Sequence, residues 1–212
     1  LHRELEKKIA EFKGTDAALL FPTGYMANLG ALGALVSKGD MVIGDKLNHA
    51  SIIDGCRQSG ATFRIYPHKD VRQLESLLQR SSGYRRKLIV TDSVFSMDGD
   101  TAPLTEIAGI AKKYDAILMV DDAHATGVFG NQGKGLIEHC GLEGKIDVVM
   151  GSLSKAVGSI GGFIAGSKPL IDFLKNKARP FIYTTAMPPA ACAASLAGLS
   201  LIQEDTSLID SL

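Results

Sequence analysis

Short apolar runs alternate with amphipathic stretches from one end of the chain to the other. The candidate strands are AALLF (17–21), MVIGD (41–45), TFRIYP (62–67), KLIVTD (87–92), AILMVDD (116–122), DVVMGS (147–152), GGFIAG (161–166) and FIYTT (181–185). Helical patterns lie between them at 24–36, 49–59, 70–80, 103–114 and 169–178. The chain opens on another, with Leu1, Leu5, Ile9 and Phe12 on one face. Pro103 and Pro169 stand where a first-turn proline belongs. Strands that are apolar almost throughout, alternating with helices, predict βαβ units and a sheet buried on both faces. The expected architecture is α/β: a three-layer sandwich with a mostly parallel sheet, forming one domain over residues 1–212. No repeat or low-complexity segment interrupts it.

In such sheets ligands gather at the carboxyl ends of the strands, and the polar residues of this chain fall there. Asp45 to His49 end one strand, Asp92 to Ser96 a second, Asp121 to His124 a third, and Ser152 to Lys155 a fourth. Four strands therefore deliver chemistry to one edge. Lys155 stands alone in a nearly uncharged stretch between VVMGSLS and AVGSIGGFIAG, which predicts a desolvated amine. Desolvation favours the neutral amine that Schiff-base chemistry requires. Asp121 closes a buried strand, where a carboxylate can pair with a protonated ring nitrogen. For Asp122 a solvated strand-end turn or a cap weighs as much as a functional role. His124 could donate to an oxygen of a bound ring or of a substrate. In FPTGYMANLGAL (21–32) a strand runs through a Thr-Gly turn into a helix, so the N–H groups of Gly24 and Tyr25 form a candidate phosphate site. Ser152 and Ser154 could complete that cup. His49 could stack on a ring or merely cap the helix that follows, and Ser96 could bond a ring oxygen. A lysine for an imine, an acid for a ring nitrogen and a phosphate cup together describe pyridoxal 5'-phosphate (PLP).

The bulk numbers remove other classes. Of 212 residues, 45% are hydrophobic and 22% charged, and the 23 basic and 23 acidic residues cancel. No electrostatic footprint for nucleic acid is visible. No apolar stretch approaches membrane-spanning length, so no membrane partner is expected. The three cysteines (Cys56, Cys140, Cys192) are far apart and without metal-ligand spacing, which predicts no metal site and a reducing, cytoplasmic setting. GVFGNQGKG (127–135) fails as a phosphate loop, because Val128 stands where the first glycine belongs and Gly135 follows Lys134. No GxGxxG follows a strand, and no GxSxG is present. His2, His68 and His139 read as surface residues. The chain starts without Met and inside a helix, and is expected to be a piece of a longer protein.

The runs TGYMAN (23–28), LNHASIIDG (47–55), SVFSMDGDTAPL (93–104), VDDAHATGVFG (120–130), GSLSKAVGSIGG (151–162) and RPFIYTTAMPPA (179–190) together resemble the α-oxoamine synthases. These fold-type I PLP enzymes of aminotransferase-like fold join an amino acid to an acyl thioester with loss of CO2. The resemblance covers nearly the whole chain and makes it the large, PLP-binding domain. It implies that Lys155 holds the cofactor as a Schiff base, Asp121 pairs with the pyridine nitrogen, and His124 with the phenolic oxygen. It further implies that His49 stacks on the ring, Ser96 bonds the cofactor, and Gly24, Tyr25, Ser152 and Ser154 hold the phosphate. Ser152 stands where the family often has Thr, and a hydroxyl is kept. Thr184 or Thr185 would reach the phosphate held by the partner subunit of a homodimer. Lys155 and His124, with His49, would carry the catalysis. The implied substrates are an amino acid, L-alanine on the favoured reading, and an acyl-CoA or acyl-ACP. A family N-terminal segment and a C-terminal small domain, which carries the substrate-carboxylate arginine, have no counterpart in these residues.

Overall fold

The computed structural model describes residues 1–205 and 207–210. Seven strands form one sheet: β1 (Ala17–Phe21), β2 (Met41–Asp45), β3 (Thr62–Tyr66), β4 (Lys87–Asp92), β5 (Ile117–Asp121), β6 (Val148–Ser152) and β7 (Gly162–Gly166). Their order is β1-β7-β6-β5-β4-β2-β3. Strands β3, β2, β4, β5 and β6 pair in parallel, while β7 runs antiparallel to both β6 and β1. Chain order reverses direction across the β2–β4 pair, a topological switch point of the kind that opens a crevice at the strand ends. The mostly parallel α/β sandwich expected from the apolar pattern is the fold observed.

The helices are α1 (His2–Lys13), α2 (Gly24–Leu35), α3 (Ala50–Gln58), α4 (Val71–Gln79), α5 (Leu104–Lys113), α6 (Leu136–His139), α7 (Lys168–Lys177), α8 (Arg179–Ile182), α9 (Pro189–Glu204) and α10 (Ser207–Asp210). Alternate strand residues point to opposite faces, and the sheet divides the core accordingly. Leu19, Phe21, Val42 and Met119 pack with Leu32 of α2, Ile52 of α3 and Ile171 of α7. Leu20, Ile43, Leu118 and Val120 pack on the other side with Leu5 of α1, Leu74 of α4, Ile107 of α5 and Leu199 of α9. Thr23 caps α2, Asp70 caps α4 and Ser167 caps α7, each by accepting a backbone N–H. Pro169 lies in the first turn of α7 as expected, while Pro103 stands one residue before α5.

One strand expectation is overturned. FIYTT (181–185) is not extended. Phe181 and Ile182 close α8, a turn opened by Pro180, and Thr184 and Thr185 lie in the loop beyond it. Proline in a first turn favours the helical start, and Phe181 then packs edge-on against Phe21, with centroids 6.0 Å apart. The longest helix, α9, was not expected at all. Its sequence PAACAASLAGLSLIQE has no charged face to mark a helical period, yet it packs against α1.

Asp122 is neither solvated nor a simple cap. Its carboxylate is fully buried, with Lys13 Nζ from the end of α1 at 2.9 Å, and the lysine side chain is itself 2% exposed. Lys13 also donates to Thr126 Oγ1 at 2.7 Å and to the Lys134 carbonyl, while Asp122 Oδ1 accepts the Leu136 N–H at 3.2 Å. Gly135 makes room: its φ is 114°, and a Cβ there would stand 1.7 Å from Asp122 Oδ2. This pair anchors the 122–136 loop to the first helix. Removing one member of a buried pair strands the other charge and costs about 3–5 kcal/mol. Lys13→Met should lower unfolding free energy by about that much in urea titration of the full-length protein. Adding Asp122→Asn should recover part of the loss, which a purely steric role for Lys13 would not allow.

Candidate active site

Parallel strands bring their last residues into one row. Asp45 ends β2, Asp92 ends β4, Asp121 ends β5 and Ser152 ends β6, with Asp92 directly beside Asp121 in the ladder. Above this row lies a cavity of about 220 Å³. Gly24 and Tyr25 of α2, His49, Asp121, His124, Ser152, Ser154 and Lys155 all line it. These residues come from segments up to 131 positions apart in sequence (155 − 24).

The α2 end of the cavity has an N-terminal turn whose first N–H groups lie beyond intrahelical bonding. Gly162 is needed there for packing: a Cβ on it would stand 2.5 Å from the Gly24 Cα, so this glycine lets α2 sit directly on β7. Ser152 Oγ and Ser154 Oγ face each other at 2.8 Å beside it. Backbone donors and paired hydroxyls at a helix start are a donor set for phosphate. Tyr25 contributes its backbone here; its exposed hydroxyl turns away to donate to Asp54 Oδ2 at 2.6 Å.

The floor is acidic and dry. Asp121 is buried, accepting the Ala123 N–H at Oδ1 (3.1 Å) and Asn28 Nδ2 at Oδ2 (2.8 Å). Burial pushes its carboxyl above the ordinary range, against those two donors and the nearby charge of Lys155. Asp92 is pushed well above the ordinary range, by burial first and then by Asp121, although it accepts the His49 N–H at 2.7 Å. A cation placed against Asp121 would relieve both. Burial holds His124 below the ordinary imidazole value, and the charge of Lys155 adds to this. A protonated ring nitrogen for Asp121, phosphate donors opposite and an amine beside them fit PLP. One atom of the floor, Asn28 Oδ1, is buried without a hydrogen-bond partner among the described residues.

Two expectations came out differently. Lys155 is exposed at the cavity mouth rather than desolvated, because its flanking residues Ser154 and Ala156 are too small to cover it. Ser96 is exposed and does not line the cavity. The Val94–Thr101 bridge and the Phe95 N–H to Asp100 carbonyl bond fold its segment into a turn that carries it outward. Thr184 and Thr185 line a different cavity of about 280 Å³, with Phe21 and Phe181. His49 does cap α3, accepting the Ser51 N–H at 3.2 Å, and still lines the site. Asn28, Ser51 and Asp92 are lining residues to which no role was assigned. The available signal was Asn28 itself, a polar residue inside the otherwise apolar helix GYMANLGALGAL.

Known proteins place this arrangement. A family model, "Aminotransferase class I and II", matches residues 1–208, and the chain belongs to that family. It is 50% identical over 212 residues to "8-amino-7-oxononanoate synthase 1" of Bacillus subtilis, covering all of this chain and 54% of that protein. Among solved structures, serine palmitoyltransferase from S. paucimobilis with a bound PLP–myriocin aldimine superposes with a TM-score of 0.92 at 42% identity. That match covers 95% of this chain and 51% of the other. The 8-amino-7-oxononanoate synthase of Francisella tularensis gives 0.87 at 33% identity, covering 99% and 60%. The chain spans about half the length of the curated relatives it matches. The resemblance to α-oxoamine synthases read from the motifs is borne out.

His68 is not a free surface residue. Its Nδ1 lies 3.0 Å from Asp45 Oδ1 and its Nε2 3.0 Å from Asp100 Oδ2, with the ring edge-on to Phe95. It thereby staples the segment leading to His49 to the turn carrying Ser96. Burial alone would lower its pKa, but the hydrogen bonds to Asp45 and Asp100 outweigh this and hold it above the ordinary value. A raised folded value stabilises fully below the unfolded pKa, near 6.5. That contribution is lost as pH rises through the raised value. His68→Gln should cost about 1–2 kcal/mol at pH 6, and the difference from wild type in urea titrations should shrink by pH 9.

Proposed function

We propose that the protein carrying this chain is a PLP-dependent acyltransferase of biotin synthesis. It would condense L-alanine with a pimeloyl thioester, on CoA or acyl carrier protein, with loss of CO2 to give 8-amino-7-oxononanoate. One observation carries the reading: a single cavity gathers Lys155, Asp121, His124, His49 and the Gly24 turn. The identity to 8-amino-7-oxononanoate synthase over the whole chain supports the product assignment. Residues 1–212 act as the cofactor-binding domain. We place the enzyme in the cytoplasm, in keeping with three free cysteines, and no described helix is long and apolar enough to cross a membrane.

Lys155 would hold PLP covalently, Asp121 would pair with its ring nitrogen, and His124 with its phenolic oxygen. His49 would lie on the ring, and Gly24, Tyr25, Ser152 and Ser154 would hold the phosphate. Ser96 is assigned to the cofactor as well, which requires its turn to move inward. Thr184 or Thr185 would reach the phosphate in the other subunit of a homodimer, consistent with their place outside this cavity. When bound, PLP supplies an electron sink for negative charge on the substrate Cα. The Lys155 amine moves the proton at that Cα, and its place at the open mouth of the cavity puts it where an amino acid enters. Asp121 keeps the ring nitrogen protonated. His124, held neutral by its surroundings, can donate a hydrogen bond to a carbonyl oxygen or a phenolate. The thioester loses its thiol as the new carbon–carbon bond forms, and the β-keto acid then loses CO2.

Serine palmitoyltransferase is the second reading, favoured by the TM-score of 0.92. Full-length protein offered Ala, Gly or Ser with short, pimeloyl and palmitoyl thioesters separates the two by thiol release. Turnover confined to serine with the long chain would replace the first reading by the second. Lys155→Ala should abolish the borohydride-sensitive imine absorbance and lower turnover by at least about 10²–10⁴-fold. Retention of both would refute the assignment.

A further inference from the structure

A buried row of hydrogen bonds joins two residues on different sides of the cavity. Asn28 Nδ2 lies 2.8 Å from Asp121 Oδ2 and 2.8 Å from Ser51 Oγ. Ser51 Oγ in turn lies 2.7 Å from His49 Nδ1. Counting protons along the row leaves one arrangement. The Asn28 amide has two hydrogens, and its two short contacts use both. Ser51 Oγ accepts one of them and can still either accept from or donate to His49 Nδ1. The Ser51 backbone N–H approaches the same nitrogen at 3.2 Å and decides between the two. With that donor aimed at it, Nδ1 is an acceptor, the Ser51 hydroxyl donates to it, and the ring hydrogen sits on Nε2.

The reverse arrangement fails at both ends. Turning the Asn28 amide over would set its oxygen against the Asp121 carboxylate, acceptor to acceptor. Running the row backwards would place a hydrogen on His49 Nδ1 and leave the Ser51 N–H facing a donor. The tautomer is therefore set by a network whose inner members, Asp121, Asn28 and Ser51, are buried.

We propose that Asn28 and Ser51 are positioning residues that fix His49 as its Nε2–H tautomer and tie its ring to the carboxylate of Asp121. The proposal rests on the cofactor reading above. On that reading the imidazole lies on the cofactor ring, and a fixed tautomer holds it there in one orientation. A hydroxyl and an N–H both donating to Nδ1 keep that atom an acceptor. The same row gives Asp121 an oriented donor, so its remaining lone pairs face the cavity. Asn28 thus serves the ring nitrogen and the ring face at once.

The test reads the histidine directly. Full-length protein labelled with ¹⁵N-histidine and stripped of cofactor gives the His49 tautomer by long-range ¹H–¹⁵N correlation, assigned from its loss in His49→Gln. The expected wild-type pattern is Nε2–H. Ser51→Ala should give a mixture with the Nδ1–H form and weaken PLP binding about three- to tenfold. Ser51→Thr, which keeps the hydroxyl, should restore the pattern and the affinity. Asn28→Leu should raise the PLP dissociation constant at least about tenfold and shift the bound absorbance, through the unsupported Asp121. A wild-type Nδ1–H pattern, or Ser51→Ala with an unchanged tautomer and PLP affinity, would overturn the relay. Wild-type protein that bound no PLP would instead overturn the cofactor reading. The tautomer is measured without PLP, so it still decides whether the relay exists.

Discussion

Burying a carboxylate at the end of a strand is the constraint around which this domain is organised. Asp121 has lost its water, and desolvation of an ionised group is among the largest penalties a fold can carry. Parallel pairing aggravates it by setting Asp92 alongside in the next strand. The surrounding structure answers with donors: the Ala123 N–H and the Asn28 amide for Asp121, and the His49 N–H for Asp92. Each donor belongs to a different element, so the loop after β5, helix α2 and the start of α3 are all held by the same small patch of negative charge. The deficit that remains is what makes the cavity a site for a cation.

Next to it, Asp122 meets the same penalty by another route. One residue further along the chain, its side chain turns to the opposite side of the strand end and finds a lysine from α1 in place of a cavity. Adjacent identical residues thus divide into a structural acid, satisfied by protein alone, and a functional acid, left incompletely satisfied. Their difference is one of direction, fixed by the period-two geometry of the strand. The α1 pairing also explains how the loop carrying His124 keeps its shape although four of its glycines (Gly127, Gly130, Gly133 and Gly135) have positive φ.

This division shows how far sequence could reach. The seven sheet strands were legible as short β-rich runs between helical patterns, four of them ending in Asp or Ser (Asp45, Asp92, Asp121 and Ser152), and most helices announced themselves by period. FIYTT was misread because β-branched and aromatic residues mark strands only when no first-turn proline stands before them. Helix α9 was missed because an Ala- and Leu-rich segment carries no amphipathic contrast. Within the site, Lys155, Asp121, His124 and the Gly24 turn were visible from residue type and strand-end position. Asn28 and Ser51 were not given roles, since a polar residue in a helix gains meaning only from what it faces across the fold. His68 was misjudged for the same reason: its partners lie 23 and 32 residues away. Local pattern locates the chemistry, while the residues that support it are fixed by packing.

The cavity has a rigid floor and an open mouth, and the two halves bear on specificity differently. Asp121, Asp92, Asn28, Ser51 and Ser152 are buried, with Asp121, Asn28 and Ser51 bonded in a row, whereas Lys155, Ser154, His49 and Tyr25 are exposed. A floor built this way can dictate how an aromatic phosphate is held, because every donor is preset. On the proposed reading it would orient the cofactor without setting acyl-chain length. The comparisons agree with that separation. A serine palmitoyltransferase and an 8-amino-7-oxononanoate synthase superpose on this one scaffold with TM-scores of 0.92 and 0.87. One fold therefore carries two proteins of different name. On the proposed acyltransferase reading, selection of the thioester would then rest on groups outside this floor rather than on the carboxylates in it.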